Sequence, residues 1–318
     1  MKKLKKELLQ PLNMQEVQML KQAIMEDVEF VTVLPKKEKK KIWMYQVPAL
    51  MALAMCCVMM FTLFMSKDIA VVSIDVNPAI EFKVNSKDRV TDIILHNEQA
   101  KQVVGDMNLD NTDIEVAVHA IIGKMFQQGY LSNTKNSMLL TVQSDDETQR
   151  IRLKDMLLRD IETSYGIYET QISILSQELS FHSEYASLAK QYNISEGKAA
   201  LINELIKDNP EYTFESFIKL SINDIQTLIH YKNISYSTIT ANGVESHEGY
   251  LTVEELKDII QKHANTSLID FVYELDCDDN RLVYEADFTD GLAHYEYEVN
   301  AISGEIIDFE LELLDYDD

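Results

Sequence analysis

The sequence predicts an α+β protein with a single transmembrane helix, and three observations support this. The uncharged apolar run at residues 47–66 has the length, roughly 20 residues, that a helix needs to cross a bilayer. After the run, apolar and polar residues alternate as in half-buried strands, and stretches with helical spacing follow. A C-terminal part again passes from a helix to several strands, which is typical of α+β domains.

The predicted span covers residues 42–66, and its flanking charges predict its direction. KKEKKK at residues 36–41 precedes it, whereas only Lys67 and Asp68 follow directly. The positive-inside rule places residues 1–41 in the cytoplasm and the rest of the chain outside the cell membrane. The late position of the run argues against a cleaved signal peptide, and its lack of charge argues against a buried helix of a soluble protein.

The charge of the chain is unevenly distributed. The whole chain carries −24, and residues 1–46, with ten Lys and six Asp or Glu, carry +4, which leaves −28 for the part beyond the run. Such an acidic surface repels nucleic acid, so no direct nucleic-acid partner is expected.

The residues of common enzyme and metal sites do not form recognisable motifs. Cys56, Cys57 and Cys277 lack the spacing of a disulfide framework or a zinc site. The chain also lacks a glycine-rich phosphate loop and the HExxH, GxSxG and SxxK sets. Five histidines lie on different predicted elements and are interpreted as surface or core residues: His182, His230, His247, His263 and His294. The sequence therefore predicts no cofactor, no metal and no turnover enzyme.

In the predicted cytoplasmic tail, residues 1–41, the residue pattern predicts one amphipathic helix at about 14–26. Asn13 is suited to cap it, with Glu16 completing a capping box. Val17, Leu20 and Ile24 share one face, which a lone helix cannot bury by itself. This face predicts docking on a partner or on the inner leaflet. A poorly ordered tail that only sets orientation by its charge is the alternative.

Residues 67–233 predict an outer α+β domain with a helical tail. Strands are expected at 69–76, at about 80–84, at 90–95, 137–143 and 169–176, the first three forming a small antiparallel sheet. Helices are expected at 112–128, 145–165, 181–193, 195–207 and 221–230. Residues 234–250 are polar, contain Asn242-Gly243 and are interpreted as a linker or loose hairpin. In residues 251–318, a helix capped by Thr252 and Glu255 precedes strands at 269–275, 281–288 and 293–299 and a last strand after Gly304.

Asn77 and Pro78 interrupt the strand-like stretch SIDVNPAIEFKVN. Proline removes a ladder donor, so the pair could be a bend that ends strand pairing at a sheet edge.

The segment VVSIDVNPAIEFKVNSKDRVTDIILHNEQAKQVV resembles the start of the outer middle domain of RsgI-type anti-sigma factors of Gram-positive bacteria, through the pattern D-[IV]-N-P-[SA]-[IV]-E. EGKAALINELIKDNPEYTFESFIKLSINDI is similar to the helical tail of the same proteins. The resemblance implies an outer sensor, an N-terminal domain that holds a sigma factor, and regulated proteolysis that frees it. It also implies self-cleavage at Asn77–Pro78. In such a reaction the Asn77 side-chain amide attacks its own backbone carbonyl and expels Pro78, whose lack of an N–H closes the competing attack by the backbone nitrogen. Asp75 and Glu81 are near in sequence, and which of them would assist stays open. Residues 1–41 depart from the family, because they lack the pattern of its β-rich sigma-binding module.

RLVYEADFTDGLAHYEYEVNAISGEII resembles a PepSY domain, which implies a protein-binding or protease-restraining unit. The favoured hypothesis is a single-pass signalling protein whose outer region senses a protein or polysaccharide at the cell surface and whose inner segment restrains a sigma factor. The alternative is a membrane-anchored surface module whose PepSY domain restrains a protease or contacts the envelope, without sigma binding.

Overall fold

The computed structural model describes residues 13–26, 51–57, 59, 68–165, 172–181, 183–207, 209–235 and 237–314. Helix α1 (Met14–Glu26) begins as predicted. The backbone amide of Glu16 donates to Asn13 Oδ1 at 3.2 Å, and the Asn13 amide donates to Glu16 Oε2 at 3.0 Å, which confirms the capping box. None of the α1 residues is buried, so its apolar face is open in the part of the chain that the structure describes.

The predicted span at 42–66 lies outside the described residues, apart from 51–57, which are helical, and residue 59. Among the residues whose structure is described, no helix combines the length and the apolarity needed to cross a membrane.

A six-stranded mixed sheet forms the core of the first part of the region after residue 67. Its strands are β1 (Asp68–Asp75), β2 (Ala79–Asn85), β3 (Val90–Leu95), β4 (Ser137–Gln143), β5 (Ser173–Leu179) and β6 (Ile239–Asn242). They are ordered β3-β2-β1-β4-β5-β6, and only β4 and β5 pair in parallel. The predicted antiparallel pairing of the first three strands is confirmed, but their sheet is larger than predicted, because β4 pairs with β1 and extends it.

Helices cover both faces of this sheet. They are α2 (Glu98–Val104), α3 (Ile114–Gln127), α4 (Glu147–Tyr165), α5 (Ala186–Tyr192), α6 (Glu196–Lys207) and α7 (Ile222–Tyr231). Helices α2 to α4 pack on the face that carries Val72, Ile74 and Phe82, and α5 to α7 pack on the face that carries Leu139 and Leu175. Because strand side chains alternate, β1 turns Ser73 and Asp75 toward the second face. These two polar residues are buried beneath the second helical layer.

Helix α6 approaches the sheet closely through Gly197. An added Cβ would lie 2.1 Å from Thr141 Oγ1, so any larger residue would force the helix away from β4. The Gly197 carbonyl accepts a hydrogen bond from Gln177 Nε2 at 2.7 Å. This contact fixes α6, and with it Ser195 and Lys198 at its start, over the polar part of the sheet.

The predicted linker at 234–250 is not a free connection. It contains β6, which pairs antiparallel with β5 at the sheet edge. Gly243 follows with a φ of 87°, and a Cβ there would lie 2.6 Å from the Ile172 carbonyl oxygen. Only glycine fits both constraints, so the Asn242-Gly243 pair serves to end an edge strand.

The C-terminal part is a helix packed on a four-stranded antiparallel sheet. Helix α8 (Val253–Ala264) precedes β7 (Ile269–Asp278), β8 (Arg281–Thr289), β9 (Ala293–Asn300) and β10 (Ile306–Leu313), which pair in chain order. The predicted capping box of Thr252 and Glu255 is confirmed. Leu256 and Ile260 of α8 pack with Phe288 and Val299 of the sheet to form a separate small core.

Candidate functional site

Asn77 and Pro78 lie at the tip of the hairpin that joins β1 to β2. Asp75 pairs with Ala79, so residues 76–78 form the connecting turn. Both strands are interior to the sheet, since β2 also pairs with β3 and β1 with β4. The interpretation of the pair as an edge bend is therefore wrong. The proline stands in a turn, where no ladder hydrogen bond is lost.

The backbone around the turn is held by one hydrogen bond within the turn and by two from other parts of the chain. Val76 donates to the Pro78 carbonyl at 3.1 Å, and its own carbonyl accepts from Ile222 N at the start of α7 at 2.8 Å. His96 N donates to the Ala79 carbonyl at 3.1 Å. The scissile bond predicted from the sequence thus lies in an ordered turn whose carbonyl groups are oriented by their partners.

Asn97 contacts the carbonyl that a self-cleavage reaction would attack. Its side-chain Nδ2 donates to the Asn77 carbonyl oxygen at 2.8 Å. Its Oδ1 accepts from Ala100 N at 2.8 Å, which caps helix α2, and the Ala79 amide also points at this oxygen at 3.4 Å. The cap fixes the amide plane, so Nδ2 is preorganised toward Asn77. A donor in this position stabilises negative charge that develops on the carbonyl oxygen.

Four ionisable side chains lie beneath the turn. Asp75, Glu81 and Lys198 are buried, and His96 is mostly buried. Ser195 Oγ donates to Asp75 Oδ2 at 2.7 Å, whereas Asp75 Oδ1 has no hydrogen-bond donor among the described residues. His96 Nε2 lies 3.2 Å from Glu81 Oε2. A cluster of buried acids and bases beside one exposed loop residue is typical of a functional site.

Burial raises the pKa of the Asp75 carboxyl to about 7, and the nearby Glu81 carboxylate adds to the rise, while Ser195, His96 and Lys198 oppose it. Burial also lowers the pKa of Lys198 to about 8. The Lys198 ammonium is compensated by the carbonyls of Ile218 and Leu220, to which it donates at 2.9 and 2.6 Å. Burial lowers the pKa of His96, but the contact with Glu81 outweighs it and leaves that pKa raised. Asp75 can therefore exchange a proton near neutral pH.

Three of these four ionisable groups and part of the turn line one cleft of about 680 Å³. Its lining includes Asp75, Asn77, His96, Asn97 and Lys198. Asn77 is exposed, whereas Pro78 is buried. The hydrogen bond from Asn97 is made to the Asn77 carbonyl oxygen, and no hydrogen bond joins the Asn77 side-chain amide to any described residue.

The sequence located only part of this site. Asn77 and Pro78 were singled out, and Asp75 and Glu81 were both left open as assisting groups. The structure places these two on the same buried cluster. Four contributors were missed: His96, Asn97, Ser195 and Lys198. Asn97 followed by Glu98 is an N-cap signature that predicts the start of α2, but nothing in the sequence relates that cap to a carbonyl twenty residues earlier.

Two family models match the chain. Residues 69–204 match the model described as the anti-sigma factor RsgI-like central domain. The resemblance to RsgI-type proteins is confirmed. Residues 250–310 match the peptidase propeptide and YPEB domain model, named PepSY, which confirms the second resemblance. The RsgI-like domain thus contains the hairpin, Asn97 and the buried cluster, and the PepSY domain contains α8 and most of the second sheet.

Curated relatives are similar to part of the chain. Anti-sigma-I factor RsgI9 of Acetivibrio thermocellus is 27% identical over 161 residues, which is 49% of this chain and 23% of that protein. Anti-sigma-I factor RsgI of Bacillus subtilis (strain 168) is 25% identical over 142 residues, 44% of this chain and 36% of that protein. The chain thus matches only about a quarter and about a third of the length of these two relatives.

Proposed function

We propose that this chain is a single-pass membrane regulator of the anti-sigma type whose RsgI-like domain cuts itself once at Asn77–Pro78. The observation that carries the proposal is the hydrogen bond from Asn97 Nδ2 to the Asn77 carbonyl, beside a buried acid and base cluster. The names of the curated relatives support an anti-sigma role. The uncharged run and the lysines before it support the membrane attachment, with residues 1–41 in the cytoplasm.

The proposed reaction is an exchange of one amide bond for another. Asn77 Nδ2 attacks the Asn77 carbonyl carbon, and the carbonyl oxygen becomes an oxyanion that the Asn97 amide stabilises. The bond between this carbon and the Pro78 nitrogen then breaks. The attacking nitrogen loses one proton and the Pro78 nitrogen gains one, so the step is balanced without a co-reactant. The products are residues 1–77, ending in a succinimide, and residues 78–318.

Asp75 is the group best suited to move this proton. It is the last residue of β1, it lines the same cleft as Asn77, and one of its carboxylate oxygens has no donor among the described residues. With a pKa of about 7, it can accept the proton from the Asn77 amide and return it to the Pro78 nitrogen. Glu81 instead pairs with His96. We therefore favour Asp75 over Glu81 as the assisting group, a choice that the sequence left open.

Cleavage is expected to accelerate as the pH rises from 6 to 8 and then to level off, because only the Asp75 carboxylate accepts a proton. With a pKa of about 7, its ionised fraction grows from about one tenth to about nine tenths over this range. The chain would be made by cell-free translation, diluted into buffers of different pH and followed on denaturing gels. Asp75→Asn should react slowly at every pH. Asp92→Asn, which removes an exposed carboxylate paired with Lys83, should keep the wild-type profile. A flat wild-type profile would exclude Asp75 as the base.

The fold explains how the two pieces would stay together until a signal arrives. After cleavage, β1 belongs to the N-terminal piece but still pairs with β2 and β4 of the other piece. Ala70, Val72 and Ile74 of β1 are fully buried. Extracting β1 therefore breaks two ladders and exposes core residues, which a pull or a competing ligand could drive. The cut hairpin would act as a switch that works once.

Sigma binding is assigned to α1, whose exposed apolar face has no partner among the described residues. Pull-down of the tagged full chain from the host cell, with mass spectrometry, is expected to recover a sigma subunit of RNA polymerase. Leu20→Asp should abolish recovery, because Leu20 is 53% exposed on the apolar face and a charge there disfavours docking. Gln22→Asp on the opposite face is the matched control and should retain the sigma factor. Recovery of no sigma factor by the wild type would remove the anti-sigma part of the proposal and leave the cleavage reaction untouched.

A further inference from the structure

Two histidines and one carboxylate converge at the end of α7. His230 Nδ1 lies 2.9 Å from Glu245 Oε1, and His247 Nε2 lies 3.4 Å from the same oxygen. All three ligand atoms lie within 4.8 Å of one another. The sequence predicts no metal site here, because His230 lies on a helix and His247 on the segment after β6. The pairing of β6 with β5, and the hydrogen bond from Asn223 Nδ2 of α7 to the Ser246 carbonyl at 3.2 Å, bring that segment to α7.

Glu245 is the buried member of this cluster. The residue is 7% exposed, and its Oε1 accepts no hydrogen bond from any described residue. Its other oxygen accepts from Gln226 Nε2 at 3.1 Å, and Gln226 Nε2 also donates to Ser173 Oγ at 2.7 Å. Gln226 thus fixes the carboxylate so that Oε1 points at both imidazoles. A buried carboxylate oxygen without a donor is costly unless a cation neutralises it.

We propose that His230, Glu245 and His247 bind a divalent first-row transition ion, with Zn²⁺ as the fitting case. Two imidazole nitrogens and one carboxylate oxygen are ligands that Zn²⁺ prefers, and three protein ligands leave one position for water. Ca²⁺ and Mg²⁺ prefer sites made of oxygen only. The histidine side chains are 64% and 49% exposed, so an ion can enter from solvent. Gln226 would not contact the ion itself but would orient the Glu245 carboxylate that binds it.

The two other groups of candidate ligands found among the described residues do not share these features. Asp287, His294 and Glu296 form one of them, but none of the three is buried. In the other, Glu274 and Asp276 are already neutralised by Lys232, which lies 3.1 and 2.9 Å from them. The first of these groups supplies a matched control, because it places a histidine between two carboxylates without a buried, oriented ligand.

An ion at this position would tie α7 to the segment that leads into the PepSY domain. Glu245 and His247 lie between β6 and α8, whereas His230 lies in the last turn of α7. The coordination bonds would add to the β6 pairing in fixing that segment. We therefore expect Zn²⁺ bound by these three residues to link the two segments, and its binding to stabilise the folded chain.

The test is a competition between the full chain and a chromophoric chelator for ZnSO₄. The wild type is expected to bind one equivalent of Zn²⁺ tightly. His247→Ala and Glu245→Gln should bind Zn²⁺ with an affinity at least about tenfold lower than that of the wild type. His294→Ala should bind like the wild type. In thermal unfolding, ZnSO₄ should raise the melting temperature of the wild type and of His294→Ala, and leave that of His247→Ala unchanged.

An ion pair between Glu245 and a protonated histidine also neutralises the buried oxygen, and the same experiment separates the two accounts. Equal Zn²⁺ binding by the wild type and His247→Ala would overturn the proposal. The exposed position of His247 makes this variant decisive, since its truncation removes little packing. Circular dichroism of Glu245→Gln, which keeps the shape of the side chain, checks that any loss of binding is not a loss of fold.

Discussion

A chain with Asn77→Ala is expected to run as one band on a denaturing gel, whereas the wild type separates into residues 1–77 and 78–318. The alanine lacks the amide nitrogen that attacks the carbonyl, and no other group replaces it. The turn itself should persist, because Asn77 is exposed and its side chain forms no hydrogen bond to a described residue. The hydrogen bonds that shape the turn are made by backbone atoms and by Asn97. The effect is therefore expected to be complete rather than partial.

Asn85→Ala is the matched control for this prediction. Asn85 ends β2 at the next hairpin, where its Oδ1 accepts from Lys87 N and Arg89 N, and it is followed by Ser86. Its removal should leave cleavage as in the wild type, although it weakens that turn. Cleavage that persists in Asn77→Ala would show that the bond is cut by a protease or by another nucleophile.

Asn97→Asp is expected to slow cleavage by about 10²–10³-fold, the loss found when one oxyanion-hole donor is removed. Aspartate keeps the oxygen that caps α2, because Asp and Asn are equally good N-caps. It replaces the Nδ2 donor, which lies 2.8 Å from the Asn77 carbonyl oxygen, with an acceptor. The substitution therefore separates the catalytic contact of Asn97 from its structural contact. Cell-free translation followed by timed denaturing gels measures the rate.

Asn97→Ser tests the same contact without introducing a charge. Serine also caps helices, lacks the charge of aspartate and is too short to reach the Asn77 carbonyl in the same way. Both variants should show wild-type circular dichroism and slow cleavage. A wild-type rate in either variant would mean that the Asn97 contact orders the turn without lowering the barrier.

Residue patterns within short segments of the sequence predicted many of the individual helices and strands correctly. The predicted strand at 137–143 agrees with β4 in both bounds, and that at 90–95 with β3. The capping boxes at Asn13 and Thr252 marked the first turns of α1 and α8 correctly. These features depend on residues within four positions of one another, which is the range over which helix caps and strand alternation act.

Pairing over long distances was not predictable in the same way. The membership of β4, β5 and β6 in one sheet depends on contacts between strands that are tens of residues apart. The site shows the same limit, because Asn77 and Pro78 stand out by their motif, whereas Ser195 reaches Asp75 across 120 positions. Helix α2 has only seven residues, too few for a clear period. Residues that act on the turn from such elements become visible only when the sheet is assembled.

The central claim is that this chain cuts its own Asn77–Pro78 bond, and intact-mass spectrometry of the purified, denatured full chain tests it most directly. The account predicts two species: one that starts at Pro78 with a free imino group, and one that ends at residue 77 as a succinimide or its hydrolysis product. A single species with the mass of the uncut chain, or a cut at any other bond, would contradict it.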